Sequence, residues 1–208
     1  MRLIGMSDSP YARRVAISLT AMGLPYTHEQ VSVFRHYDAF AAINPVVKAP
    51  TLVLDDGTVL MDSTLILDYL ERLVPADRRL TPTNPAAYLR GQRIIGLALA
   101  ACEKTVQVMY ELNLRPEERR HQPWIDRVRA QGVTAYRLLE AELETEAGEA
   151  ALWVGPGRPS QAGITAAVAW YFTQDIVADL VSPEDHPALA GLSRLAEALP
   201  EFKAVPYS

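Results

Sequence analysis

The chain has 208 residues, 49% of them hydrophobic, and a net charge of -5, enough apolar mass for one large packed domain or two small ones. Basic and acidic residues number 6 and 8 up to Ala76 and 14 and 17 beyond it, so neither half carries the basic excess of a nucleic-acid binder. The single cysteine, Cys102, excludes an intrachain disulfide and a cysteine-based zinc cluster, which fits a reducing compartment.

The first apolar stretch, residues 1–6, is too short for a secretory leader and is followed at once by polar Ser7-Asp8-Ser9. No apolar run reaches the ~18 residues of a membrane span. A cytoplasmic protein without a membrane partner is therefore expected. Residues 2–6 read as a short buried strand. Ser9 then supplies an N-cap and Pro10 a first helical residue, opening a helix that Gly23 ends. Residues 26–33 read as a second strand, and the intervening helix makes it parallel to the first. After a short helix over 35–43, residues 51–54 and 59–61 flank Asp55-Asp56-Gly57-Thr58, a hairpin signal. Asp62-Ser63 can cap an amphipathic helix whose apolar positions include Leu65, Leu67, Tyr69, Leu70 and Leu73. The order is βαβ, helix, ββ, α over residues 1–76.

The character then changes. Residues 77–85 read as a linker, and 86–208 as an all-helical domain with no convincing strand. Helical spacing runs through 86–114 and 124–146, the second with acids at Glu140, Glu142, Glu144 and Glu146 that are expected to be exposed. Residues 152–159 are rich in glycine and proline and read as a loop. Ser160 then caps a mostly apolar, buried helix, and a short helix over 188–199 closes the domain.

Three segments carry the candidate chemistry. Ser9 stands where a strand gives way to a helix N-terminus, whose free N–H groups and dipole favour an anion. Pro50 stands where a strand should begin, and only X–Pro bonds adopt cis at modest cost. A cis Ala49-Pro50 bond would turn the chain sharply and display the main chain of Ala49 to a peptide-like ligand. Asp62-Ser63 sits at the hairpin-to-helix turn. Each is also an ordinary cap or turn residue, so the combination matters more than any one.

Together, Ser9-Pro10-Tyr11-Ala12-Arg13-Arg14-Val15, Asn44-Pro45-x-x-Lys48-Ala49-Pro50-x-Leu52 and Asp62-Ser63 closely resemble the N-terminal domain of cytosolic-type glutathione S-transferases. The likeness is greatest to the serine-type branch with its bacterial, tau and zeta members, and it extends over the whole chain. It implies a thioredoxin-like α/β domain with a cis-proline, an all-α second domain, a homodimer and a role in detoxification. It makes Ser9 the catalytic hydroxyl, with Ser7 the second choice. Ala49 would pair its main chain with the cysteinyl unit of glutathione, supported by Pro50; Lys48 would approach the glycyl carboxylate, with Arg35 or His36 as helpers; and Asp62 and Ser63 would hold the γ-glutamyl end. Glutathione is the implied co-substrate, a small hydrophobic electrophile the second substrate, and no metal is implied. Where the family opens the core helix of its second domain with Ser/Thr-x-x-Asp, this chain has Ser160-Gln161-Ala162-Gly163, with an expected loss of about 1 kcal/mol from the missing reciprocal bond.

The remaining conspicuous residues have structural readings. Cys102 reads as a buried small side chain, Arg14 as the partner of an acid such as Asp68 or Glu71, and Trp170, Tyr171 and Phe172 as core. The four histidines, scattered without metal-ligand spacing, read as surface or loop residues. Besides a transferase, the same site admits a non-catalytic glutathione-binding or interaction module and a glutathione-dependent isomerase. Thiol–disulfide exchange requires a cysteine at the activating position, where this chain has Ser9.

Overall fold

All 208 residues are described by a computed structural model. The chain divides into two compact units, Met1–Thr81 together with Ala198–Ser208, and Pro82–Glu197.

In the first unit, β1 (Arg2–Ile4), α1 (Pro10–Ala21) and β2 (Thr27–Glu29) form the expected βαβ element, with β1 and β2 parallel. Gly23, at φ 66°, closes α1: its successor Leu24 donates back to the Leu19 carbonyl at 3.0 Å, the bond that ends a helix through a left-handed residue. After α2 (Tyr37–Ile43), β3 (Thr51–Val53) and β4 (Val59–Met61) form the hairpin, and α3 (Ser63–Leu73) follows. The sheet order is β2-β1-β3-β4, antiparallel beyond β1. The second strand is shorter than its β-branched run suggests, because residues after Glu29 leave the sheet. The core face of α3 is Ile66, Leu67 and Leu70, whereas Leu65 and Leu73 are exposed.

The last residues return to this unit, where α9 (Pro200–Lys203) packs on α1. Fully buried Arg13 donates from Nε to the Val205 carbonyl at 3.1 Å and lies 5.8 Å from the ring centroids of both Phe202 and Tyr207. A guanidinium excluded from water is tolerable on those terms, with its donors bonded and its faces on aromatic rings.

The second unit packs α4 (Pro85–Asn113) against α5 (Gln122–Leu143) and α7 (Gln161–Ile176), and α7 against α8 (Pro187–Glu197). As its composition predicts, α7 is buried over nearly its whole length, a helix apolar on all faces. Cys102 is buried on α4. A hydroxyl chain crosses the same core: Thr105 and Thr173 lie 2.7 Å apart, and Tyr136 Oη is 2.5 Å from Thr173 and donates to the Ala169 carbonyl at 2.9 Å. Burial pushes the Tyr136 phenol far up, so it stays protonated.

Four details depart from the sequence reading. The helix expected to run to 146 breaks at Glu144, and α6 (Glu146–Ala151) starts from a Thr145 cap that accepts from Gly148 N–H. The expected loop at 152–159 forms a two-stranded ribbon, β5 (Trp153–Gly155) and β6 (Arg158–Pro159). Glu140 and Glu142 are buried rather than exposed. Glu140 accepts from the N–H groups of Ala188 and Leu189 at 2.6 and 2.9 Å, an anion at the N-terminus of α8. Burial works to raise the Glu142 pKa, but hydrogen bonds from Arg93 and Arg90 outweigh it and the net shift is downward. Of the histidines, His186 is a loop residue as expected, although buried, bonded to the Ser182 carbonyl at 2.9 Å and set 5.5 Å from the Trp170 ring, whereas His28 stands half-buried on β2.

Ser160 caps α7 without the expected deficit. Its hydroxyl donates to the Ala151 carbonyl at 2.6 Å and accepts from Gly163 N–H at 3.1 Å, while its own N–H donates to the Leu152 carbonyl at 2.8 Å. That carbonyl does what the carboxylate of a capping box does. A Cβ on residue 163 would lie 2.4 Å from it, so the glycine and the backbone acceptor belong together.

Candidate functional site

The register of the sheet assembles the candidate residues. Ile4, Thr51 and Met61 lie in one row across β1, β3 and β4, and Ile4 also pairs with Glu29 on β2. Each ends or begins its strand, so Gly5 to Ser9, Lys48 to Pro50, Asp62-Ser63 and Gln30 all emerge at the same edge. Side chains alternate and strands pair in fixed register, so this row is a consequence of which residues face the core.

The approach is tightest at Gly5, where φ is 146°. A Cβ there would sit 3.1 Å from the Ala12 Cβ and 3.3 Å from the Ala49 Cβ. Only glycine combines that backbone with that space. The Ala49-Pro50 bond is cis, as expected. The N–H and C=O of Ala49 make no hydrogen bond within the chain. Lys48 is exposed and Ala49 half-buried. Their turn is fixed from behind by two buried residues: the Thr51 hydroxyl donates to the Lys48 carbonyl at 2.8 Å and accepts from Asn44 Nδ2 at 2.8 Å.

Ser9 caps α1, its Oγ accepting from Ala12 N–H at 3.4 Å. A hydroxyl can accept and donate at once, so the Ser9 proton is available to another acceptor. Ser7 differs. It is buried, its N–H donates to Gln30 Oε1 at 2.8 Å, and its hydroxyl accepts from Gln30 Nε2 at 2.7 Å. On α3, Asp62 caps with Oδ1 accepting from Thr64 N–H at 2.9 Å. Arg14, buried on α1, donates to the hydroxyls of Ser63 at 3.3 Å and Thr64 at 3.4 Å, adding positive charge to a helix N-terminus. Of the acids expected near it, Asp68 is bound by Arg72, and Glu71 Oε1 accepts from Leu80 N–H and the Thr81 hydroxyl.

Two non-glycine residues carry left-handed backbone, Val47 at φ 51° and Asp62 at φ 70°. Such conformations cost roughly 1–3 kcal/mol and collect at ligand clamps. Here they flank Lys48 and Ser63. The helpers expected at the glycyl end are exposed: Arg35 lies 3.9 Å from the Met6 sulfur, and His36 accepts from Ser32 N–H. Sequence reasoning gave no role to Gly5, Gln30 and Thr51, and quoted Asn44 only as part of a motif. Gly5 and Asn44, before a proline, carry turn signals; Gln30 and Thr51 carry none.

No helix is long and apolar enough to cross a membrane. Residues 3–78 match the family described as the glutathione S-transferase N-terminal domain. Among solved structures, a glutathione S-transferase from Methylobacterium radiotolerans in complex with glutathione sulfonate is 30% identical, superposes with a TM-score of 0.87, and is matched over 100% of this chain and 95% of that one. Among curated proteins, the uncharacterized GST-like protein YibF of Escherichia coli is 32% identical over 98 residues, so the chain spans about half the length of that relative (48%) and 47% of its own. A maleylacetoacetate isomerase from Pseudomonas aeruginosa is 28% identical over 98% of this chain and 94% of its own length. The motifs at one sheet edge, the family match and the end-to-end likeness agree: the chain belongs to the glutathione S-transferase superfamily.

Proposed function

We propose that the protein is a glutathione transferase of the serine type, which activates the thiol of glutathione for attack on a small hydrophobic electrophile. The observation that carries the reading is the row Ile4–Thr51–Met61, which puts a hydroxyl, an unpaired peptide group, a cation and a capped helix N-terminus at one edge. Glutathione has two carboxylates, an ammonium and peptide groups. In this reading the N–H and C=O of Ala49, held by Pro50, pair with the cysteinyl unit as one more extended segment. Lys48 faces the glycyl carboxylate. Ser63 at the start of α3, with Arg14 behind it, takes the γ-glutamyl carboxylate, and Asp62 its ammonium.

Ser9 donates a hydrogen bond to the sulfur and is neither nucleophile nor base. A thiol with a pKa near ~8.5 is only a few per cent ionised at neutral pH, and each unit of lowering requires about 1.4 kcal/mol. A hydrogen bond to a charged acceptor contributes roughly 1.5–3 kcal/mol, enough for about one to two units. The thiolate then attacks the electrophilic carbon, forming the thioether and expelling the leaving group.

Ser9→Ala tests this. Its kcat/KM with an activated aryl chloride should fall about 10- to 100-fold at neutral pH, with the loss shrinking as rising pH ionises the thiol unaided. Glutathione affinity retained with unchanged turnover would sink the role of Ser9. The near full-length likeness to a maleylacetoacetate isomerase favours a second reading, isomerisation of a conjugated double bond at the same glutathione site, separated from transfer by following cis–trans conversion of an unsaturated diacid. The reading also carries a cytosolic two-fold homodimer without a metal, which gel filtration over a range of concentrations tests.

A further inference from the structure

The β1–α1 loop that carries Ser9 is held by side chains of β2 and the residue after it. Gly5 N–H donates to the Glu29 carbonyl at 3.1 Å, and the Gly5 carbonyl lies 3.0 Å from His28 Nε2. Gln30 grips Ser7 with both ends of its carboxamide, and its Nε2 also lies 3.4 Å from His28 Nδ1. Ser9 N–H closes the loop on the Met6 carbonyl at 3.1 Å.

The polarity of this network follows from one group that cannot change. Ser7 N–H is a donor, so the oxygen of the Gln30 carboxamide must face it. The NH2 end then faces both the Ser7 hydroxyl and His28 Nδ1, which must accept. The imidazole therefore carries its proton on Nε2 and donates it to the Gly5 carbonyl. A second proton would place Nδ1–H against the Gln30 NH2, two donors face to face. Turning the carboxamide to relieve that contact would oppose its NH2 to Ser7 N–H instead. Resting on the glutathione transferase reading, we propose that Gln30 and His28 are positioning residues for Ser9: neutral His28 accepts from the carboxamide that holds the loop, and protonation of the imidazole loosens that hold.

The groups facing the ring are the Gly5 carbonyl, the Gln30 amide and the Tyr26 ring, whose centroid is 6.2 Å away. On the flanking register positions, Arg2 and Glu29 are bonded to each other. Burial lowers the His28 pKa, with the Gly5 bond opposing it. A lowered folded value means that the unfolded chain binds the proton more readily, so the hold is complete above about pH 6.5 and is lost as pH falls through the folded value.

The test uses S-methylglutathione, which has no thiol to titrate and whose terminal charges are constant between about pH 5 and 7. Calorimetry on the wild type should show affinity weakening about five- to tenfold from pH 7 to 5. His28→Gln should flatten that dependence. Gln30→Ala should weaken binding at pH 7 by a similar factor, whereas Gln30→Glu, which keeps an acceptor for Ser7 N–H, should recover affinity at neutral pH and move the His28 titration upward. Nitrogen chemical shifts of His28 in the wild type should report the Nε2–H tautomer, a readout that needs no variant to fold. An Nδ1–H tautomer, pH-independent affinity in the wild type, or unchanged binding by Gln30→Ala would overturn the proposal. Absence of binding at every pH would instead overturn the glutathione reading.

Discussion

Gly5 shows how much of a site depends on a side chain that is missing. Its position lets β1, the first turn of α1 and the turn before Pro50 meet within van der Waals distance. Gly5→Ala combines an unfavourable backbone at φ 146° with contacts of 3.1 and 3.3 Å to two Cβ atoms. It should cost about 1–3 kcal/mol in denaturant unfolding and weaken glutathione binding in calorimetry, whereas the same change at exposed, uncrowded Gly57 should leave binding unaltered. Ser9, Ala49, Pro50, Asp62 and Ser63 were legible as candidates because each stands at a junction marked by a cap, a turn or a proline, whereas Lys48 entered through the family resemblance. Gly5 carries only the general mark of a glycine and Gln30 and Thr51 carry none, since what they do is defined by residues in other turns, loops and helices that only the fold brings to them.

At the scale of elements, the caps decide more than helix propensity does. The start of α7 looks defective as a sequence, yet the Leu152 carbonyl takes the Ser160 N–H that a carboxylate at 163 would otherwise accept. Gly163→Asp, which restores the familiar capping pattern, should therefore destabilise the protein. A Cβ 2.4 Å from a backbone oxygen must displace the segment before β5, at a cost of about 1–3 kcal/mol in thermal or denaturant unfolding. A gain in stability would show that the segment yields freely. The strand hairpin and α1 were readable because Asp-Gly and Ser-Pro act within a few residues. The break at Glu144 and the β5–β6 ribbon were not, because periodicity continues across the first and glycine-proline content conceals the second.

For the molecule as a whole, the return of Ala198–Ser208 to the first unit is the largest feature without a local signal. It is anchored by Arg13, four residues after Ser9, buried between Phe202 and Tyr207. Arg13→Ala should free this tail. Limited proteolysis followed by mass spectrometry should find new cleavage after about residue 198, and unfolding should become easier by about 2–4 kcal/mol. Unchanged protection would place the anchor in Phe202 and Val205 alone. By itself the sequence determined the two kinds of architecture, the order of the elements in the first unit and the family, because apolar period, caps and turns are short-range properties. Only the tertiary structure decided which carbonyl replaces a missing carboxylate, which carboxamide holds the Ser9 loop and where a buried guanidinium finds its partner. Those bonds join residues far apart in the chain, and their geometry comes into being only when the sheet register and helix packing are complete.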